Sequence, residues 1–164
     1  LGDVHGIAQT QMGLGNVYQQ QGKWDRAIKM YEQSLETKER LGDVHGMAQT
    51  FNNLGTVYAD KGAWDRAIAI FEQSLETYER LGDVHGMAQT WTSLGILYLQ
   101  TDCPDEAKPL LARATLIFAQ LGSPNQQIAA NALVQAFDGD VDAANAYLAQ
   151  VAEAMQETDE SSKT

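Results

Sequence analysis

Cysteine, basic side chains and long apolar runs are scarce in this sequence, and each scarcity closes a route. The single cysteine, Cys103, has no partner within the chain, so no internal disulfide supports the fold, and a lone thiol makes a reducing, cytoplasmic location the default expectation. No stretch approaches the roughly 18 consecutive apolar residues that a membrane span requires, and no secretory signal pattern is visible. Lysine and arginine total 11 against 22 aspartates and glutamates, a formal charge of −11. A surface of that sign disfavours nucleic acid and membrane lipid as partners and mildly favours basic ones. The excess of acids is largest toward the C-terminal end: 5 to 5 over residues 1–40, 6 to 3 over 41–80, 4 to 2 over 81–120 and 7 to 1 over 121–164.

What the sequence does contain is one paragraph written three times. Residues 41–80, LGDVHGMAQTFNNLGTVYADKGAWDRAIAIFEQSLETYER, recur recognisably at 1–40 and again at 81–120, where the second half of the copy drifts. Self-similarity at this period marks a supersecondary unit that cannot bury its own apolar face and stacks on its neighbours. Within the unit, Val44, Ala48, Phe51, Leu54, Gly55 and Tyr58 fall at intervals of three and four, one side of a first helix. Trp64, Ala67, Ile68, Phe71 and Leu75 do the same for a second. Gly62 separates them and suits the left-handed conformation that ends a helix, so the two helices are expected to be antiparallel neighbours. Gly55 and Ala67 are small where the backbones approach; Tyr58, Trp64 and Phe71 are placed in the space around them. The junction Leu-Gly-Asp, at 41–43 and 81–83, reads as a last apolar contact, a C-terminal glycine and an aspartate capping the next helix.

The pattern LG..Y, G.W..A and a following aromatic, carried first by Leu14, Gly15, Tyr18, Gly22, Trp24, Ala27 and Tyr31, resembles the tetratricopeptide repeat. Matches are good from Asp3 to Gln120 and weak beyond. The period exceeds the usual repeat of about 34 residues and is similar to the longer-helix variety of Pins-type adaptors, kinesin light chains and the arrays of bacterial signalling proteins. Two departures stand out: no proline ends the second helix, where Glu39 and Glu79 stand, and Ser34 and Ser74 replace the usual alanine. The resemblance implies an all-α fold, an α-solenoid of about four antiparallel helix pairs wound as a right-handed superhelix. It also implies a protein–protein interaction scaffold rather than an enzyme, with no cofactor.

Taken in order, residues 1–156 are expected to form a single solenoid. The chain starts in mid-pattern, without an initiator methionine, and reads as a piece of a longer array whose uncapped N-terminal face is open to self-association. Gln11 stands where the later copies have Phe51 and Trp91. In the third copy Asp102 replaces the turn glycine, Pro104 replaces the tryptophan at a first-turn position that tolerates it, and Pro109 threatens to kink its helix or delay its start. Ser123-Pro124 is expected to open a further helix with Ile128, Ala132, Leu133 and Ala136 inward. After Asp138-Gly139-Asp140, a last helix carries Val141, Ala144, Leu148, Val151 and Met155. This pair, 121–156, reads as a divergent cap, and 157–164 as a disordered acidic tail.

Catalytic and metal readings are weak. His5, His45 and His85 recur once per repeat; equivalent residues of stacked helices are separated by more than the roughly 8–10 Å between neighbouring helices, whereas zinc ligands lie about 2 Å from one ion. No nucleophile stands with a base, and acids such as Glu32 and Glu36 sit four apart on outer faces. In the resembled family the first helices line a concave groove. Here that stripe is Gln9, Met12, Asn16 and Gln20, then Gln49, Asn52, Thr56 and Asp60, then Gln89, Thr92, Ile96 and Gln100. Side-chain amides donate and accept at once and suit the main chain of an extended peptide or a partner helix. None of the twelve is basic, which argues against a chaperone C-terminal carboxylate, since that ligand needs cationic donors. Two alternatives remain: a structural segment that stacks on further repeats or on itself, and a sensor region regulating a larger signalling protein.

Overall fold

The structure, a computed structural model, describes residues 3–161. Its described residues form helices and turns: α1 (Val4–Gln20), α2 (Trp24–Leu41), α3 (Val44–Asp60), α4 (Trp64–Leu81), α5 (Val84–Gln100), α6 (Pro104–Gln120), α7 (Gln126–Ala136) and α8 (Val141–Ser161). The helices alternate first and second within each copy of the repeat, as the periodicity requires. The chain is described as two compact units, 1–86 and 87–164, the division falling in the first turn of α5.

In the first unit α1 packs against α2 and α3 against α4, and α2 also packs on α3. Close approach within each pair rests on a glycine. A Cβ on Gly55 would lie 2.8 Å from the ring of Phe71, and one on Gly15 would lie 2.6 Å from the ring of Tyr31. Both rings are almost fully buried, at 1% and 0% exposure. The serines that depart from the family pattern serve the same interface. Ser34 Oγ donates to the Ala8 carbonyl and Ser74 Oγ to the Ala48 carbonyl, each at 2.9 Å, so a buried hydroxyl ties the second helix to the first. Gln11 keeps a place in this packing as a polar residue: Thr37 Oγ1 donates to its Oε1 at 3.3 Å.

Helix ends follow the junction chemistry. Asp3, Asp43 and Asp83 each accept the backbone N–H three residues on, at 2.9 Å. The turn glycine Gly62 has φ +78°, and Asp102 takes the same left-handed region at φ 59° in the third copy, a conformation aspartate tolerates better than most side chains. Two expected core residues lie outside: Trp64 is 47% and Val44 37% exposed. Trp64 is the first residue of α4, so its ring lies at the turn edge and not between the helices.

In the second unit, α6 begins at Pro104 and runs through Pro109 without interruption, so neither delay nor break occurs. A Cβ on Gly95 would lie 2.6 Å from Leu111, repeating the close approach of the earlier pairs. Ala107, Leu111 and Ala112 form a core with Ala132, Leu133, Ala136 and Ala144. The opening of α7 differs from expectation: Ser123 Oγ accepts from Asn125 N at 3.3 Å, and the helix starts only at Gln126. Ile128 is 55% exposed while Ala129 is buried; Ile128 sits one helical step, about 100°, off the buried stripe. Val141, the first residue of α8, is likewise 54% exposed. Helix α8 continues to Ser161, past Glu157, where disorder is expected, because no glycine or proline interrupts it. Residues 162–164 of that tail lie outside the described residues.

Candidate functional site

The stripe predicted from the sequence divides in the structure. On α1, Gln9, Asn16 and Gln20 are exposed; on α3, Gln49 and Asp60 are exposed while Asn52 and Thr56 are half-buried. The two helices are joined along this face, since Gln19 Nε2 donates to Asp60 Oδ2 at 3.0 Å. Beneath them the Tyr31 hydroxyl donates to Asn16 Oδ1 at 2.6 Å and lies 3.2 Å from Gln19 Oε1. Burial, with the charge of Asp60 adding to it, pushes the Tyr31 phenol up to about 12, so it remains a donor and holds Asn16 in place. Asn52 differs from all of these. Its Oδ1 is buried and has no hydrogen-bond partner, and an acceptor left in that state costs roughly 1–3 kcal/mol.

Met12 belongs to a different structure. Its sulfur lies 3.4 Å from Lys38 Nζ and 3.8 Å from Thr50 Oγ1, in the seam where α1, α2 and α3 meet. Lys38 is only 3% exposed. Its ammonium donates to the Gly46 carbonyl at 3.0 Å and to Thr50 Oγ1 at 2.8 Å; the Thr50 hydroxyl in turn donates to the same carbonyl at 2.8 Å. Burial lowers the pKa of Lys38, and the charge of Asp43 opposes that in part. The three donors of the ammonium are thus met by neutral acceptors, which anchors α2 to α3. The apolar spacing in the sequence points to Tyr31 but not to Lys38 or Gln19. Lys38 is the one long basic residue at a position where the next copy has Tyr78, and that exchange was the available signal.

In the second unit, Gln100 is exposed, Gln89 and Ile96 are half-buried, and Thr92 is buried at 8% exposure. The Thr92 hydroxyl turns back to donate to the Ala88 carbonyl at 2.9 Å, so Thr92 does not offer a ligand an open polar surface. Ile96 packs against the core of this unit. Of the α5 residues in the stripe, Gln100 alone is fully exposed.

Among the histidines, His45 stands in the first turn of α3 with defined partners. His45 Nε2 lies 3.0 Å from Asp83 Oδ2, and its ring meets that of Tyr78 edge-on with centroids 5.8 Å apart. Asp83 therefore caps α5 with one carboxylate oxygen and meets His45 with the other. Among the described residues, no group of three or more histidine, cysteine, aspartate or glutamate side chains is placed to hold a metal ion, and no helix is long and apolar enough to cross a membrane.

The family profile described as tetratricopeptide repeat matches residues 6–80. Residues 6–80 carry tetratricopeptide repeats. Residues 81–90 are identical to 41–50, and 101–120 drift from the second copy. Among solved structures, the chain is similar to the crystal structure of BtubC (BKLC) from P. vanneervenii, with a TM-score of 0.76 and 23% sequence identity. The match covers 95% of this chain and 67% of that one. At that identity the likeness speaks for the fold. No curated protein sequence matches the chain. Tetratricopeptide repeats generally mediate protein–protein interaction and are a non-catalytic repeat family.

Proposed function

We propose that the first unit binds an extended peptide or a partner helix along the joined face of α1 and α3, with Gln9, Gln20 and Gln49 as exposed amides and Asp60 as its one charge. The observation that carries this reading is Asn52 Oδ1, an unpaired acceptor on a face otherwise knit by Gln19–Asp60 and Tyr31–Asn16. A main-chain N–H of a ligand, admitted by a small rotation of the Asn52 amide, satisfies that acceptor; the exposed glutamines then pair with the remaining peptide groups. Asp60 favours a basic residue at one end of the ligand. The absence of lysine and arginine from the twelve stripe positions speaks against a chaperone-type C-terminal carboxylate, which needs cationic donors. Nothing in this reading requires catalysis, a cofactor, nucleic acid or a membrane.

The test is selection from a displayed library of random dodecapeptides on the intact chain, followed by NMR titration of the selected peptides. Shifts concentrated at Gln9, Asn16, Gln49, Asn52 and Thr56, with binding lost in Gln49→Ala/Asn52→Leu, support the reading. Peptides whose shifts map to α2 and α4, or whose affinity survives the double substitution, refute it.

A further inference from the structure

The turns that close α1 on α2 and α3 on α4 carry the same side chains twice. Tyr18, Trp24, Asp25 and Arg26 at the first turn are matched by Tyr58, Trp64, Asp65 and Arg66 at the second. At each turn a guanidinium lies over a tyrosine ring, Arg26 at 5.8 Å from the Tyr18 centroid and Arg66 at 4.9 Å from that of Tyr58. Both arginines are exposed, and among the described residues no hydrogen bond or ion pair engages either of them. A guanidinium stacked on a ring keeps its N–H fork free for a planar anion. The indoles stand beside these forks. The six-membered ring of Trp24 lies over the turn, 3.7 Å from a Cβ placed on Gly22, and Trp64 is 47% exposed. Each set lines an open recess, of about 540 Å³ at the first turn and about 310 Å³ at the second. The two turns are linked by the 2.6 Å ion pair of Lys61 with Asp25, which occupies the first aspartate. In the third copy Pro104, Asp105 and Glu106 replace tryptophan, aspartate and arginine in turn, so the arrangement is confined to the first unit.

We infer that these two turns together bind an extended acidic segment of a partner protein, with one carboxylate on Arg26, another on Arg66 and an apolar residue against the indoles. Three features select that chemistry. The guanidinium fork matches a carboxylate with two parallel N–H···O bonds. Asp25 and Asp65 beside the arginines, and the formal charge of −11 on the whole chain, oppose a phosphate dianion or a nucleic acid backbone more strongly than a singly charged carboxylate. The exposed indoles add apolar area that a free anion leaves uncovered. Two forks on linked turns also favour one segment that reaches both, since the second contact then forms within the complex. The site uses none of Gln9, Gln20, Gln49, Asn52 or Asp60, which belong to the peptide face proposed above, and it prefers the opposite charge.

The probe is a fluorescein-labelled dodecapeptide of alternating glutamate and proline, an extended chain whose carboxylates recur about every 6 Å and whose proline rings can meet the indoles. Fluorescence anisotropy with the intact chain reads binding, and sedimentation velocity over a range of chain concentrations reads self-association. The expected result is saturable binding to a monomeric chain, absent for the peptide with glutamine in place of glutamate. Arg26→Gln/Arg66→Gln weakens it about tenfold or more, and Trp64→Ala weakens it as well. Arg26→Lys/Arg66→Lys keeps the charge but loses the fork, and its affinity falls between the two. All three side chains are exposed, so these substitutions leave the fold intact, which circular dichroism checks. Failure of the peptide to bind, or binding indifferent to Arg26→Gln/Arg66→Gln, overturns the inference. Displacement of the peptide by equimolar inorganic phosphate reveals a general anion site and overturns the assigned occupant. A dimer that Arg26→Gln/Arg66→Gln dissolves gives the site to a second copy and overturns it too. Binding lost in Gln49→Ala/Asn52→Leu while the arginine variants are silent places the peptide on the face of α1 and α3, against this inference and not against that one.

Discussion

Two glycine-to-alanine substitutions inside helices, one on an open face and one at a buried contact, are expected to move stability in opposite directions. Gly13 lies inside α1, and a Cβ added there meets nothing within 4 Å. Replacing an exposed mid-helix glycine by alanine removes backbone freedom from the unfolded chain, and Gly13→Ala is expected to stabilise by about 0.8–1 kcal/mol. Gly55→Ala earns the same propensity gain but places its methyl 2.8 Å from two ring carbons of Phe71 and 3.1 Å from a third. Phe71 is 1% exposed, so its ring has no room to yield, and α3 and α4 must separate. Overpacking of this kind costs about 1–3 kcal/mol, and three contacts at or under 3.1 Å place it toward the upper end. The net expectation is a loss of about 1–2 kcal/mol. The assay is urea denaturation followed by circular dichroism at 222 nm, comparing midpoints where the slope is unchanged. A higher midpoint for Gly13→Ala with a lower one for Gly55→Ala supports the packing account. A Gly55→Ala protein as stable as the parent shows that the helices of this pair do not interlock through that glycine.

Ser74→Ala removes a buried hydroxyl that donates to Ala48 and is expected to cost about 1 kcal/mol in the same assay, with Ser34→Ala matching it. Lys38 releases its proton at lower pH folded than unfolded, because burial lowers its pKa; the unfolded chain then binds more protons, so stability rises with pH toward 10.5. Denaturation midpoints at pH 7 and pH 10 are therefore expected to diverge in favour of the parent over Lys38→Met, and parallel curves refute the assignment. Above pH 10 the sign reverses for Tyr31 and Tyr78, whose folded values are pushed up to about 12: the unfolded phenols ionise first, and stability falls. Asp102→Gly relieves a left-handed turn at φ 59° and is expected to raise the melting midpoint slightly, by about 0.5 kcal/mol.

Much of the fold is legible in the sequence because a helix records its buried face at intervals of three and four. The repeat, its turn glycine and its capping aspartate each follow from local chemistry that Gly62, Asp43 and Asp83 carry alone. The errors cluster where the face depends on an adjoining element. Trp64 matches the spacing of the core yet lies at a turn edge, half exposed. Ile128 shares the spacing of Ala132 and Ala136, yet the buried stripe runs through Ala129, one residue and about 100° away, and leaves Ile128 55% exposed. The candidate site shows the same limit. Twelve residues share a register, but Met12 is drawn into the seam with Lys38 and Thr92 is buried.

The sequence by itself determined that this chain is a tandem array of helix pairs, since its period, its glycines and its apolar spacing are local properties read without knowing any contact. Only the tertiary structure decided that a lysine is buried against a carbonyl and a hydroxyl and that an asparagine oxygen is left unpaired. Residues of one register meet different fates because burial depends on what packs against a surface, and that is a property of neighbours rather than of the surface's own text.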